Sequence, residues 1–217
     1  TSFNPLWIMR QAGRYLPEFR EIRKNNPDFI NLCLNDNLSA EITLQPLKRF
    51  DIDAAIIFSD ILMLPYGLGQ KVKFEKNFGP KLDSLDLNEI AKIDEVDFVE
   101  KTYPIYKAIK KVSSDLIVKD KNTIGFVGAP WTLLVYMINL KSPKKNLNKN
   151  FFKDDFLINR ILLIIEKFLK IHIKNQIDNG ANVIQIFDSW AGLLEEKDLP
   201  NYIYTPTLNL VEYVKSL

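Results

Sequence analysis

The chain has 217 residues, of which 47% are hydrophobic and 26% are charged, a composition that is ordinary for a globular domain. Its net charge of +2 is too small for nucleic acid to be the main partner, so any anion-binding site must be local. A single cysteine, Cys33, excludes an internal disulfide framework and fits a reducing compartment such as the cytoplasm.

Two further classes are excluded on similar grounds. No apolar run approaches the ~20 residues that a membrane span needs, and the first twenty residues lack a signal-peptide pattern. Cys33 and the single histidine, His172, cannot by themselves form a zinc site of the usual four-ligand kind. We therefore expect no membrane segment and no metal, and we interpret His172, which falls in a helical pattern, as structural.

Arginine is concentrated near the start of the chain. Six arginines stand against 23 lysines, and four of the six are Arg10, Arg14, Arg20 and Arg23. A guanidinium group is a planar, permanently charged fork that binds a carboxylate or phosphate through two hydrogen bonds, so the segment predicts an anion-binding site. The alternative is a solvated helix face that forms ion pairs with Glu18 and Glu21. That alternative suits Arg20 and Arg23 better than it suits Arg10 and Arg14.

The following segments predict two helices, a buried strand and a turn region. Pro17 fits the first turn of a helix that ends at 25–28, and a second helix is expected at about 39–50 with Glu41 in its first turn. Residues 53–58, which are continuously apolar after Asp53, are typical of a strand buried on both faces, and Asp60 follows them closely. Glycines between 67 and 80 predict an irregular loop or hairpin.

Helix and strand signals then alternate through the rest of the chain. Helices are predicted at 97–113, at about 131–136 and at 155–178, where Asn179 and Gly180 form a stop signal. Buried strands are predicted at 123–128 and 181–187. The Lys- and Asn-rich stretch at 142–150 predicts an exposed loop, and the tail at 199–217 predicts another helix.

This alternation indicates an α/β fold, and the absence of a linker predicts a single domain over residues 1–217. Unusual residues stand at the end of each strand candidate: Ser59 and Asp60 follow the first, Gly-Ala-Pro at 128–130 ends the second, and Asp188 and Ser189 follow the third. In barrels of the (β/α) type, the carboxyl ends of the strands carry the site. A complete barrel needs eight strands and about 250 residues. Either the sheet is open, or the chain is the front part of a barrel.

Each polar residue at a strand end also has a structural interpretation. An aspartate after a buried strand, such as Asp60, is as often a helix cap or turn residue as a functional one. Taken by itself, Ser189 is typical of a cap and Tyr136 of a core position. Asp188 is interpreted as structural.

Four motifs, in order along the chain, connect the sequence to a known family. Residues 7–20 read WIMRQAGRYLPEFR, and FSDIL at 58–62, GAPWTL at 128–133 and FDSWAG at 187–192 follow. Together they closely resemble the motifs of the uroporphyrinogen decarboxylase family. The resemblance implies a (β/α)8 TIM barrel that works as a cytoplasmic homodimer without cofactor or metal. It implies a carboxy-lyase of haem (porphyrin) biosynthesis, which converts the four acetates of uroporphyrinogen III to the methyl groups of coproporphyrinogen III.

The resemblance also implies the residues of the site. Asp60 and Arg10 are expected to be catalytic, with Asp60 accepting hydrogen bonds from pyrrole N–H groups and stabilising a cationic intermediate. Tyr136 and Ser189 are expected to bind substrate carboxylates, and Phe187 to pack against the macrocycle. The proton donor is left open between an arginine, a water and a substrate carboxyl. The full substrate-binding set is Arg10, Gln11, Ala12, Gly13, Arg14, Arg23, Asp60, Tyr136, Phe187 and Ser189.

Finally, the resemblance implies that these residues are the N-terminal portion of a longer gene product. Family members are longer, and a histidine near their C-terminus, which His172 does not match, completes the cleft. Two other readings stay open. One is a truncated, non-catalytic tetrapyrrole-binding fragment. The other is a related corrinoid or thiol methyltransferase, which needs zinc ligands that Cys33 and His172 do not supply.

Overall fold

The structure is a computed structural model that describes residues 4–75, 78–84, 86–143, 147 and 154–217. Contacts within the chain divide it into two compact units. Unit 1 comprises residues 1–60, 103–126 and 175–185, and unit 2 comprises residues 61–102, 127–174 and 186–217. The single domain expected over residues 1–217 stays a prediction.

Helices and strands alternate along the chain, as the sequence predicts. The α-helices are α1 (Pro17–Asn25), α2 (Phe29–Cys33), α3 (Asp36–Arg49), α4 (Met63–Gly67), α5 (Leu87–Ile90), α6 (Glu95–Ser113), α7 (Pro130–Asn139), α8 (Asp155–Asp178) and α9 (Thr205–Ser216). The strands are β1 (Ala54–Ile56), β2 (Val72–Glu75), β3 (Gly79–Leu82), β4 (Asn122–Gly128) and β5 (Val183–Phe187). A π-helical turn at Pro200–Tyr204 leads into α9.

One sheet carries β1, β4 and β5, with β4 in the middle. β1 and β4 run parallel, with residues 54–56 opposite residues 122–124. All three residues of β1 are buried, as expected for a parallel strand covered on both faces. The strands β2 and β3 form the antiparallel hairpin expected between residues 67 and 80. These elements confirm the α/β class.

Local capping decides where several helices begin. The Asn35 side chain accepts hydrogen bonds from the N–H groups two and three residues further on, so α3 begins at Asp36. Glu41 therefore lies in the second turn, and its predicted place in the first turn is wrong. The sequence pattern did not predict α2, α4 and α5, because helices of four or five residues are too short to show a period. Asp28 and Asp86 cap two of them.

The end of α8 confirms its prediction, whereas β5 departs from its own. The helix ends at Asp178, and Gly180 takes a φ of 107°, a left-handed conformation that glycine adopts without strain. β5 was expected to be buried on both faces, but its residues are exposed or half-buried, and Val183 exposes 42% of its surface. Most of the loop predicted at 142–150 lies outside the described residues.

Each unit has apolar packing of its own. In unit 1, Leu16, Phe19 and Ile42 belong to one buried cluster. In unit 2, the Phe98 ring lies 4.9 Å from the Phe168 ring, and the buried His172 ring meets it edge-on at 6.0 Å. The structural interpretation of His172 fits this position. Among the described residues, every helix is too short or too polar to cross a membrane.

The buried position of His172 predicts a pH-dependent stability. Burial lowers the pKa of His172 to about 4, whereas an exposed histidine titrates near 6.5. The unfolded chain therefore takes up the proton first as the pH falls. The free energy of unfolding should decrease between about pH 6.5 and pH 4, and this contribution should level off below that. The gap between the two pKa values corresponds to about 3 kcal/mol.

Urea unfolding at several pH values between 7 and 4.5 measures this contribution. The matched variant is His172→Gln, which keeps a polar side chain but removes the titrating group. Carboxylates contribute acid sensitivity in both proteins, so the histidine's share is the difference between the two pH profiles. Identical profiles would show that His172 does not titrate with a lowered pKa.

Candidate functional site in two residue groups

Gln11 anchors the arginine-rich segment to the first strand. Its side chain is 3% exposed, and its Nε2 group donates a hydrogen bond to the Ala54 carbonyl of β1 at 3.0 Å. Its Oε1 atom accepts a hydrogen bond from the Ile8 N–H at 3.0 Å, and the Tyr15 hydroxyl donates to the Gln11 carbonyl. A buried amide that is bonded at both ends fixes the backbone around it. Contact between Gln11 and substrate stays a prediction.

Arg10 and Arg14 stand on this fixed backbone with their side chains exposed. Within the described part of the chain, neither guanidinium group forms a hydrogen bond or an ion pair. Ala12 and Gly13, which lie between them, are half-buried. Two guanidinium groups four residues apart therefore keep their N–H donors available for a ligand. This is the arrangement that an anion-binding site requires.

The remaining charges of the segment have structural partners. Arg20 donates through Nη1 to the carbonyls of Arg14 and Tyr15, at 2.8 and 3.2 Å. Glu18 accepts two hydrogen bonds from the Arg49 fork, at 2.6 and 2.8 Å, and this fork lowers the pKa of Glu18. The alternative in which Glu18 pairs with an arginine of its own helix is therefore wrong. Arg20 instead stabilises the backbone around Arg14 through these two hydrogen bonds.

Arg23, in the last turn of α1, lies over the ring of Phe29. Its guanidinium carbon is 5.5 Å from the centre of the Phe29 ring, and its Nη1 donates to the Asn26 carbonyl at 2.6 Å. The Phe29 ring meets the Phe58 ring edge-on at 5.7 Å. Phe58 precedes Asp60 by two residues. The Phe29 ring therefore connects Arg23, at the end of α1, with the segment that follows β1 and carries Asp60.

The electrostatics of Cys33 connect Arg23 with Asp60. Burial raises the pKa of the Cys33 thiol well above its ordinary value, the negative charge of Asp60 raises it further, and Arg23 lowers it. Both charges therefore act on the same buried thiol. Arg23 and Asp60 thus both lie in unit 1 within electrostatic range of Cys33. Asp60 is not the cap of α4, because the residue in that position is Leu62.

Sequence reasoning missed two hydroxyl residues of unit 1. Ser39 and Thr43 lie one turn apart on α3, both are 1% exposed, and both bind the backbone of Phe58. Two hydroxyl side chains four residues apart on an apolar helix face were the available signal. The sequence cannot show which backbone groups such hydroxyls bind.

Unit 2 contains the other predicted residues. Tyr136 of α7 is 9% exposed; its hydroxyl accepts a hydrogen bond from Ser142 Oγ at 3.4 Å, and its ring meets the Trp190 ring edge-on at 5.9 Å. Phe187 is the half-buried last residue of β5, and Ser189 is exposed just after it. Ser189 is not a cap, because the next helical turn begins after Trp190 and has no side-chain cap.

A hydrogen-bond network holds the loop that carries Ser189. The Thr132 hydroxyl donates to Asp188 Oδ1 at 2.6 Å and accepts from the Trp190 N–H at 3.1 Å. The indole N–H of Trp131 donates to the Trp190 carbonyl at 2.9 Å. The residues on both sides of Ser189 are therefore bound to the first turn of α7. Burial raises the pKa of Asp188, and the hydrogen bond from Thr132 opposes that rise.

This network predicts opposite outcomes for two substitutions of Asp188. Asp188→Asn keeps an oxygen that can accept from Thr132 and removes a poorly solvated charge, so the melting temperature should hold or rise at pH 7. Asp188→Ala leaves the Thr132 hydroxyl without its acceptor and should lower the free energy of unfolding by about 1–3 kcal/mol. Thermal unfolding followed by circular dichroism compares the two. If both variants lose stability equally, the charged carboxylate is the stabilising form.

The described ranges contain no cluster of three or more His, Cys, Asp or Glu side chains that could hold a metal ion. The functional groups that the two groups of predicted residues supply are guanidinium, hydroxyl and carboxylate groups. Arg10, Arg14, Arg23 and Asp60 belong to unit 1, and Tyr136, Phe187 and Ser189 belong to unit 2.

Sequence comparisons identify relatives along the whole chain. The uroporphyrinogen decarboxylase of Agrobacterium fabrum is 40% identical over 215 residues, which cover 98% of this chain and 62% of that protein. The enzyme of Rickettsia bellii is 42% identical over 214 residues, covering 97% and 62%, and that of Campylobacter jejuni is 39% identical over 220 residues, covering 100% and 64%. The chain thus spans less than two thirds of the length of these relatives.

A solved structure supports the fold. A methyltransferase from Methanosarcina mazei superposes with a TM-score of 0.72 over 89% of this chain and 58% of its own. The two sequences are 18% identical, so the likeness shows a shared α/β fold and nothing about activity. The family described as uroporphyrinogen decarboxylase (URO-D) matches residues 1–217. Matched from end to end, and with curated relatives at about 40% identity, the chain belongs to the uroporphyrinogen decarboxylase family.

Proposed function

We propose that this protein is a uroporphyrinogen decarboxylase and that the chain forms the first part of a (β/α)8 barrel. One observation carries the proposal: Arg10 and Arg14 are exposed, without partners among the described residues, on a backbone that Gln11 fixes. Uroporphyrinogen III carries eight carboxylates, which are the ligands that paired guanidinium forks bind best. Family membership supplies this substrate class.

The other residues have distinct roles in the proposal. Arg23 binds a further carboxylate, and the half-buried backbone of Ala12 and Gly13 supports Arg10 and Arg14. The hydroxyl groups of Tyr136 and Ser189 hydrogen-bond to substrate carboxylates, and Phe187 packs against the macrocycle. Asp60 accepts hydrogen bonds from pyrrole N–H groups.

The reaction needs an electron sink, and the substrate supplies one. Protonation of the ring carbon next to the one that bears the acetate converts the pyrrole into an iminium cation. The bond between the acetate methylene and its carboxylate then breaks, its electron pair neutralises the iminium, and carbon dioxide leaves. A proton added to the exocyclic methylene makes the methyl group, and loss of the first proton restores the pyrrole. Each acetate thus consumes one proton and releases one carbon dioxide.

Asp60 is suited to the cationic step. Asp60 is half-buried beyond the end of β1. A bound macrocycle would exclude water from it, and a fixed negative charge stabilises a nearby cation more strongly in a medium of lower dielectric than water. The same carboxylate orients the ring through its N–H groups. Asp60 therefore lowers the energy of the intermediate without exchanging a proton itself.

The assay is direct. The full-length gene product is incubated anaerobically with uroporphyrinogen III, and the porphyrins with eight to four carboxyl groups are separated after oxidation. We expect coproporphyrinogen to accumulate through intermediates with seven, six and five carboxyls. Binding of the substrate without loss of a carboxyl would instead establish a non-catalytic tetrapyrrole-binding protein.

The proposal also covers assembly and cofactors. We propose a cytoplasmic homodimer that needs no cofactor or metal. Light scattering measures the mass in solution, and the assay repeated after treatment with a chelator measures the need for metal. An activity that the chelator abolishes and zinc restores would contradict this part and favour a metal-dependent methyltransferase relative.

A further inference from the structure

We propose that Ser39 and Thr43 are positioning residues that hold Asp60 in the geometry that decarboxylation requires. The proposal rests on the proposed function and deepens it, because it assigns the support of the carboxylate to two hydroxyl groups of α3. Neither hydroxyl touches the reacting atoms in this assignment.

The strand leaves the sheet at the point where these hydroxyls bind. The Ile57 N–H still donates to the Ile124 carbonyl at 3.0 Å, as part of the β1–β4 pairing. At Phe58, the N–H donates to Thr43 Oγ1 at 2.8 Å, and the carbonyl accepts from Ser39 Oγ at 2.6 Å. Both backbone groups of Phe58 are thus bound by α3, two residues before Asp60.

A further hydrogen bond links Thr43 to Ser39 within α3. Thr43 Oγ1 also donates to the Ser39 carbonyl at 2.7 Å, so it is donor and acceptor at once. Both side chains are 1% exposed, which leaves no water to replace a lost partner. The Phe58 ring packs against Phe19 at 5.8 Å and against Phe29 at 5.7 Å. The residue is therefore fixed through its backbone by hydrogen bonds and through its side chain by aromatic contacts.

A small shift at Phe58 moves Asp60 with it, because only Ser59 lies between them. Misplacement of a catalytic group by about 1 Å can cost about 100-fold in rate. Loss of the Thr43 hydroxyl should therefore appear in kcat, since other residues bind the substrate carboxylates in the proposed function.

The test compares Thr43→Val with Thr43→Ser and with a matched control in the full-length protein. Valine has the shape of threonine but can neither donate nor accept, whereas serine keeps the hydroxyl. The control is Thr102→Val: Thr102 is also fully buried, and its hydroxyl donates to the Phe98 carbonyl of its own helix at 2.8 Å. We expect Thr43→Val to lower kcat by about 10- to 100-fold with little change in KM. Thr43→Ser should recover most of the rate, and Thr102→Val should keep it.

Three measurements can overturn the proposal. If Thr43→Val and Thr102→Val have the same kcat, Thr43 has only a structural role. If Thr43→Val lowers the rate of an Asp60→Asn protein as much as that of the wild type, Thr43 does not act through Asp60. A crystal structure of Thr43→Val with Asp60 unmoved would also contradict it. This last result does not depend on activity, whereas a wild-type protein that never decarboxylates uroporphyrinogen overturns the proposed function itself.

Discussion

Asp60→Asn should lower kcat for uroporphyrinogen decarboxylation by about 100- to 1,000-fold while the protein stays folded. Asparagine keeps the size of the side chain and one accepting oxygen but removes the negative charge. The pyrrole N–H groups can still bind, so KM should change less than kcat. The loss falls on the cationic intermediate, which a neutral amide cannot stabilise as a carboxylate does.

The measurement is steady-state kinetics together with a circular dichroism spectrum and a melting curve. The control is Asp51→Asn, because Asp51 lies just before β1, its side chain is fully exposed and it forms an ion pair with Lys121 at 3.3 Å. An exposed ion pair contributes little, so this variant should match the wild type in rate and stability. An unchanged kcat in Asp60→Asn would remove Asp60 from the mechanism.

Arg10→Lys should lower kcat/KM by about 10- to 100-fold, because a charged hydrogen bond contributes about 1.5–3 kcal/mol. Lysine keeps the positive charge but loses the planar fork that binds both oxygens of a carboxylate. The wild-type side chain is exposed and unpartnered among the described residues, so stability should not change. A loss of kcat/KM with an unchanged melting curve therefore reports on the interaction with substrate and not on folding.

The matched control is Arg160→Lys, which makes the same exchange at an exposed position of α8. We expect this variant to have the kcat/KM of the wild type, since Arg160 has no role in substrate binding in the proposed function. Equal kinetics for Arg10→Lys and the wild type would show that charge alone is enough at position 10. Equal losses for Arg10→Lys and Arg160→Lys would mean that the effect is not local to the arginine-rich segment.

Several features of the fold followed from the sequence because their causes are local. The end of α8 lies at a glycine in a left-handed conformation, and the start of α1 lies at a proline suited to a first turn. β1 was predictable because a strand buried on both faces needs a continuous apolar run. The short helices α2, α4 and α5 were missed because a single turn leaves no period to detect.

In the candidate site, too, the sequence predicted some features and missed others. The abundance of lysine elsewhere in the chain marked the arginines at positions 10 and 14 as unusual, and the structure leaves both without protein partners among the described residues. The alternative pairing of Glu18 with an arginine of α1 was wrong because its partner, Arg49, is 31 residues away and no local pattern connects them. A partner distant in sequence is set by how the elements pack.

The sequence by itself therefore determined the family of this protein, the clustering of its arginines near the start of the chain and the order of its longer strands and helices. These depend on residue types and on spacings within a few residues. Only the tertiary structure decided that Gln11 ties the arginine segment to β1, that Ser39 and Thr43 hold the strand end before Asp60, and that Thr132 binds Asp188. The physical reason is that a buried polar side chain must find a partner, and the chain's packing alone determines which group lies within hydrogen-bonding distance.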